Sequence, residues 1–398
     1  MPFTLRSEGH FAWAIKMVKQ QVGSVSRKIR RTGTLGLFMA FCILQSAQAA
    51  SDPLQLPALM SSKASTALLL SVAQAGSRLV AVGEHGVINY SDNLGKTWTQ
   101  SKVPVSVTLT AVFFSDAKTG WAAGHDGVVL ATQDAGQTWE KRFDGNQANA
   151  LMLAEAKSNI NALRSDDAAK QAAAENAQAD VEAGAKFGPS RPLLGVWFRN
   201  NSEGFVVGAF GQIFHTTDAG KNWESLASRL NNPDGLHYNA ISATPGGALV
   251  IGGEGGRIYR SENNGITWQT IDTGYTGQLY GVIGLSQAGK QERLLAFGFG
   301  GHVLLESEHG AWQDLKTPIK KNLIGGVQTA DGSVFLVAQD GTVLHCKANT
   351  QTFDIVLQGS GTPIAGMTVV KVDKKPLEMV TSGVNGVHVK TISLGKFD

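Results

Sequence analysis

The chain has 398 residues, of which 17% are charged, 42% are hydrophobic and 47 are glycine. Charge falls below the roughly 25% of an average globular protein and glycine exceeds the roughly 7% expected, which points to a turn-rich β protein. The apolar share excludes a disordered chain, and no apolar run outside the N-terminus approaches membrane-spanning length, which excludes a polytopic membrane protein.

Residues 27–31 read Arg-Lys-Ile-Arg-Arg, followed by an apolar stretch from Leu35 to Leu44 and then Ala47-Gln48-Ala49. A basic segment, a short apolar segment and an A-x-A site make up an export signal, so residues 1–49 are expected to be a signal peptide. Cleavage after Ala49 removes seven basic residues and one acidic residue, which takes the net charge from +3 to −3. The basic balance therefore belongs to the leader, and nothing in the remainder favours nucleic acid. Cys42 goes with the leader. Cys346 then stands alone, and the exported fold has no internal disulfide.

From residue 50 onward the chain repeats. Four segments align without gaps: Ser91 to Trp98, Thr132 to Trp139, Thr216 to Trp223 and Ser261 to Trp268. Their shared form is [S/T]-x-[D/N]-x-G-x-[T/N]-W, the Asp-box. It is carried by Asn93, Gly95 and Trp98; Asp134, Gly136 and Trp139; Asp218, Gly220 and Trp223; and Asn263, Gly265 and Trp268. A fifth, decayed copy runs from Glu306 to Trp312, one residue short. The physics is that of a hairpin turn: Asp or Asn accepts backbone hydrogen bonds, Gly supplies a positive φ, and Trp starts the next strand and packs between sheets. These aspartates are expected to be structural.

A second signal precedes each box: a β-run, a tight turn ending in Gly, and another β-run. The turn glycines are Gly86, Gly127, Gly211, Gly256, Gly301, Gly341 and Gly386, spaced by 41, 84, 45, 45, 40 and 45 residues. The unit around Gly127 reads as four strands, Leu109–Phe114, Gly120–Gly124, Val128–Thr132 and Thr138–Phe143. Four strands in 40–45 residues are the signature of a propeller blade, so the expected fold is all-β, a seven-bladed β-propeller spanning 50–398. An open solenoid is the alternative. The 84-residue gap holds a segment rich in Ala, Glu, Gln and Asn from Gln147 to Lys186. Its apolar residues recur at helical spacing, which predicts a helical insertion between blades two and three, broken near Ser165-Asp166-Asp167. The last unit ends soon after Val387–Ile392, and Leu54–Met60 is the candidate to supply its missing strand and close the ring.

Up-and-down strands place alternate connections at opposite ends of a blade. Asp-boxes therefore share one face, while the Gly-turns, the links between blades and the helical insertion share the other. Residues at these turns differ between blades on a repeated scaffold, which suits a binding surface. The candidates are Glu84 and His85, His125 and Asp126, Phe210, Glu254, Phe299, Gln339 and Asp340, and Asn385. His85 and His125 lie in neighbouring blades beside carboxylates, but their spacing is not a metal-ligand motif. No cofactor and no catalytic residue is expected.

The phrase Gly120-Trp121-Ala122-Ala123-Gly124-His125-Asp126-Gly127 running on to Trp139, and its repeat from Gly204 to Trp223, resemble the photosystem II stability/assembly factor family. The broader class is the BNR/Asp-box propellers, which includes sialidases, xyloglucanases and sortilin-like receptors. The resemblance covers roughly residues 65–390 outside the insertion. It implies a seven-bladed, non-catalytic exported protein that helps to assemble or stabilise a membrane protein complex. The compartment would be the periplasm, or the thylakoid lumen in a photosynthetic source. The alanine-rich insertion departs from the compact family pattern.

The alternative is a glycan-binding protein or a glycoside hydrolase of the sialidase-like class. A sialidase needs an arginine triad, a Tyr–Glu nucleophile pair and an acid/base Asp, with an Arg-Ile-Pro element before the first box. No such tripeptide exists here, and strands such as Leu109–Phe114 and Leu279–Leu285 carry no arginine. Glycan binding without catalysis would rest on aromatics such as Tyr275, Tyr280 and Phe299.

Overall fold

The computed structural model describes residues 52–163, 168–286, 289, 291–370 and 377–392. The leader, the break expected near Ser165–Asp167 and the last six residues lie outside them. Six four-stranded antiparallel sheets and one three-stranded sheet follow one another in chain order, each built from consecutive strands. The blades run Leu69–Gln100, Leu109–Phe143, Leu193–Ser225, Tyr238–Asp272, Leu279–Leu315, Leu323–Leu357 and Ile364–Ile392. The first strand of each blade packs against the first strands of both neighbours, and Ile364–Val370 packs against Leu69–Ala75, so the ring is shut. The seven-bladed propeller expected from the repeat is the observed fold.

The second strand of each blade explains why the spacing repeats so faithfully. Gly120–Gly124, Gly204–Gly208, Leu249–Gly253 and Val334–Ala338 are buried along their whole length. Sheets on both sides cover such a strand, so only small or apolar residues fit. At the junction of blades two and three, Trp121 stacks on Phe198 with ring centroids 3.5 Å apart.

One glycine per blade is set by close approach. Gly83, Gly124, Gly208, Gly253, Gly298 and Gly383 end the second strand, and a Cβ on any of them would lie 2.0–2.3 Å from a backbone carbonyl just before the first strand. Next to it, the amide of the following residue donates to that same carbonyl, as from Glu84 to Leu68 and from His125 to Thr108. Only blade six differs, with Ala338 in the position.

The closure expected from Leu54–Met60 is not the one observed. Blade seven has three described strands, and Leu54–Met60 forms no strand. It runs instead along the end of blade one: the Ala58 amide donates to the Val103 carbonyl, and the Ser106 amide to the Pro53 carbonyl. Leu54 is 1% exposed in a cluster with Val103, Val105 and Val107, and that apolar link is a better partner than the edge of Gly386–Ile392. The edge carries exposed Lys390 and Thr391, a composition that discourages strand addition. Blade packing seals the ring, since Gly95 of the first box lies against Val389 of blade seven.

The insertion is a pair of helices, α1 (Gly145–Ala162) and α2 (Ala168–Ala185). Asp144 caps α1 by accepting from the amides of Asn146 and Gln147, while the Gln147 side chain accepts from the Asp144 amide, a reciprocal capping box. Ala148 and Met152 then bury against Phe143 and Phe214, which ties the first helix to the ring.

Candidate partner-binding face

The two ends of the propeller use their side chains differently. At one end lie the boxes. In all four, the first Ser or Thr accepts from the box Gly amide and the Asp or Asn from the amide of the residue before Trp, at 2.8–3.0 Å. Trp98, Trp139 and Trp223 donate their indole N–H to their own box Gly carbonyl at 3.0–3.1 Å. Hydrogen bonds to Asn222 and Thr216 hold the Asp218 carboxyl below its ordinary range against burial. In the decayed fifth copy, Ser307 closes the turn by accepting from the Ala311 amide.

Blade six carries a sixth copy that the motif search misses. Cys346-Lys347-Ala348-Asn349-Thr350-Gln351-Thr352-Phe353 aligns without a gap to Ser91–Trp98. Asn349 has φ 65°, matching Leu94 at 56°, Cys346 Sγ lies 3.4 Å from Thr350 Oγ1 where Ser91 meets Gly95, and Phe353 is buried in place of Trp.

At the other end, blades one to five share one turn. In Glu84–Val87, His125–Val128, Ala209–Gln212, Glu254–Arg257 and Phe299–His302 the fourth amide returns to the first carbonyl. Both central residues have positive φ: His85, Asp126, Phe210, Gly255 and Gly300 at 52–69°, then the turn Gly. This is the type I′ hairpin, whose twist matches the flanking strands. The third position is always Gly while the first and second vary, and Phe210 is the bulkiest occupant of the second.

The ten candidate residues fall into two groups. Three of the four acidic ones bond within the fold. Glu84 accepts from the Leu68 amide at 2.8 Å, Glu254 from the His237 amide at 3.3 Å, and Asp340 from the Thr342 amide at 3.0 Å and from Lys321. The Lys321 and Thr342 bonds hold the Asp340 carboxyl low against burial. Asp126 is the opposite case. Its turn backs onto Gly145 at the start of α1, and burial lifts its carboxyl above the ordinary range. His85, His125, Phe210, Phe299, Gln339 and Asn385 are exposed. No three His, Cys, Asp or Glu side chains among the described residues are grouped to hold a metal ion.

The helical pair stands at this end, as the strand parity requires. Gly145 contacts the His125–Gly127 turn, and Glu155 of α1 accepts from the Ser228 amide at 3.0 Å. Between the helices and blades three and four lies a groove of about 690 Å³, bordered by Met152, Asp180, Val181, Arg191, Phe210 and Asp234. Arg191 lies over the Phe210 ring at 5.4 Å, and His237 meets the ring edge-on at 4.8 Å. Neither Arg191 nor His237 precedes a turn glycine, so the turn rule alone does not find them. The alanine-rich departure from the repeat was the available signal.

The central channel is chemically quiet. Its 510 Å³ are bordered by Ser71, Thr110, Asn239, Tyr280 and Met367 among others, with no Arg, Lys, His, Asp or Glu among the described residues. No guanidinium cluster is present to clamp a carboxylated sugar. The three aromatics form no shared platform: Tyr280 lines the channel, Tyr275 donates its hydroxyl to the Phe299 carbonyl, and Phe299 is exposed.

The fold and its repeated turns define an Asp-box β-propeller with one elaborated end. The family model described as Photosynthesis system II assembly factor YCF48 matches residues 82–161 and 190–298, just under half of the chain, and passes over α2. The chain is 23% identical over 277 residues to the photosystem II assembly protein Ycf48 of Thermosynechococcus vestitus, covering 64% of this chain and 74% of that one. It is 24% identical over 164 residues to the photosystem II stability/assembly factor HCF136 of Oryza sativa, where the match spans 37% of this chain and 39% of the rice protein. A solved structure described as YCF48 bound to D1 peptide superposes with a TM-score of 0.57 at 17% identity, over 85% of this chain and 99% of that one. Among Asp-box propellers, this chain is similar to the photosystem II stability/assembly factors in these matches.

Proposed function

We propose that this chain is a non-catalytic, exported scaffold that helps to assemble or stabilise a membrane protein complex, and that it holds its partner at the Gly-turn end. The observation that carries the reading is the contrast between a channel bordered by no charged side chain and a turn end bearing exposed Phe210 and Phe299 beside an inserted helical pair. The matched relatives support it: the cyanobacterial and rice proteins carry assembly-factor names, and the solved relative is described with a D1 peptide. On this reading residues 1–49 are an export signal, which supports a mature chain from residue 50 in the periplasm, or in the thylakoid lumen in a photosynthetic source. N-terminal sequencing of the cellular protein tests that assignment, and a start at Ala50 is expected.

The partner test is affinity capture from detergent-solubilised membranes of the source, with the full chain and with F210S/F299S. Recovery of an integral membrane protein by the parent, reduced at least about tenfold in the variant, is the expected result. A parent that recovers no membrane protein but retains a glycan would overturn the scaffold reading.

A further inference from the structure

We propose that the groove between the helical pair and blades three and four is the docking site for a short, extended, basic segment of the partner protein. The inference rests on the scaffold reading and narrows it to one place and one chemistry. The occupant follows from what borders the groove. Glu155, Asp180 and Asp234 set three carboxylates against the single guanidinium of Arg191, which is already engaged by the Asp180 carbonyl at 3.0 Å and by the Phe210 ring. A surplus of negative charge selects a cationic partner and rejects an acidic one. At the floor, Tyr238 is 0% exposed and stands edge-on to Tyr259, so the groove has a fixed, packed base.

Size and shape agree. The α2 wall runs from Ala173 to Val181, about 12 Å at 1.5 Å per residue, which accommodates about four residues of extended chain. Successive side chains of an extended segment alternate in direction, so cations on one side would meet Asp180 and Asp234. Apolar groups on the other would then meet Met152, Val181 and Phe210. Phe210 supports a binding role independently. It is 53% exposed, yet held in the left-handed region at φ 57°, where a bulky residue is rare.

The test uses the full chain and two fluorescein-labelled peptides, Arg-Leu-Lys-Phe-Arg-Leu and Glu-Leu-Glu-Phe-Glu-Leu, with anisotropy as the readout. The basic peptide is expected to bind and the acidic one not. Affinity should fall about tenfold between about 0.05 M and about 0.5 M salt, and about tenfold again in D180N/D234N, whose substituted side chains are exposed and leave folding intact. Equal binding of both peptides, binding unchanged in D180N/D234N, or no binding of the basic peptide overturns the groove assignment. Membrane-protein capture separates this from the wider reading: a partner retained in full by D180N/D234N sinks the groove and leaves the scaffold standing. No capture by the parent chain sinks the scaffold itself.

Discussion

The two ends of this propeller are built from the same backbone repeat and spend their polar atoms in opposite ways. At the box end, each Asp or Asn bonds within its own turn, and each Trp rests against the preceding blade, as Gly136 and Trp139 do against Val80. At the turn end, the type I′ geometry is met by two left-handed residues and asks nothing of their side chains. Positions that the fold consumes are repeated, and positions that it leaves free diverge. The comparison therefore predicts that substitutions at the box end change stability and that substitutions at the turn end change binding.

The sharpest way to break that division is W139A. Trp139 is 4% exposed, packs on Phe114 and donates to Gly136, so truncation leaves a large cavity between blades one and two. Chemical denaturation should show a loss of about 3–5 kcal/mol. An unchanged midpoint would mean that the box end is not the structural end. G124A comes next. Its new Cβ would meet the Thr108 carbonyl at 2.3 Å, and a backbone atom cannot rotate away, so a loss of about 1–3 kcal/mol is expected in the same assay.

The acid limb of stability sharpens the comparison. Bonds to Arg78 depress Asp92, those to Asn222 and Thr216 depress Asp218, and those to Thr138 and Thr132 outweigh burial to depress Asp134. A carboxylate with a lowered folded-state pKa adds stability above its unfolded value near 3.8, and that stability is lost as pH falls through the folded value. Asp126 at the turn end has the opposite sign. Its raised pKa makes the charged form costly, so its contribution improves as pH falls into its folded range. Unfolding midpoints followed from about pH 6 down to about pH 3 should therefore drop less steeply in D134N/D218N than in the parent, and more steeply in D126N. The same slope in all three would remove the distinction.

What could be read in advance follows the same line. The boxes and turn glycines are legible because one local rule recurs, and strand parity then places the helical pair at the correct end. The glycines that close each second strand escape notice because their reason is a carbonyl some fifteen residues away in sequence, as with Gly124 and Thr108. Box six is hidden because Cys346 and Phe353 keep the role of Ser and Trp without the identity, while Ala348 drops the acid. Leu54–Met60 is misplaced because an unpaired edge in blade seven is a topological argument, whereas Leu54 follows apolar surface. At the turn end, candidate positions are legible but their use is not. Glu84 and Glu254 look identical to binding residues until the amides of Leu68 and His237 are seen to occupy them.

The smallest effect tests the turn end at Phe210. Its left-handed conformation costs a non-glycine residue about 1–2 kcal/mol, and the stack with Arg191 returns about 0.5–1 kcal/mol at an exposed site. F210A keeps the backbone cost and loses the stack, so it should be about 0.5–1 kcal/mol less stable than the parent. F210G also loses the stack but relieves the backbone, against a larger unfolded-state entropy, and should lie within about 0.5 kcal/mol of the parent. Both should lose partner capture to the same extent, because the ring is gone in each. A stability order with Gly and Ala together below Phe would make the ring a structural plug like Trp139, and the division between the two ends would fail at its most exposed residue.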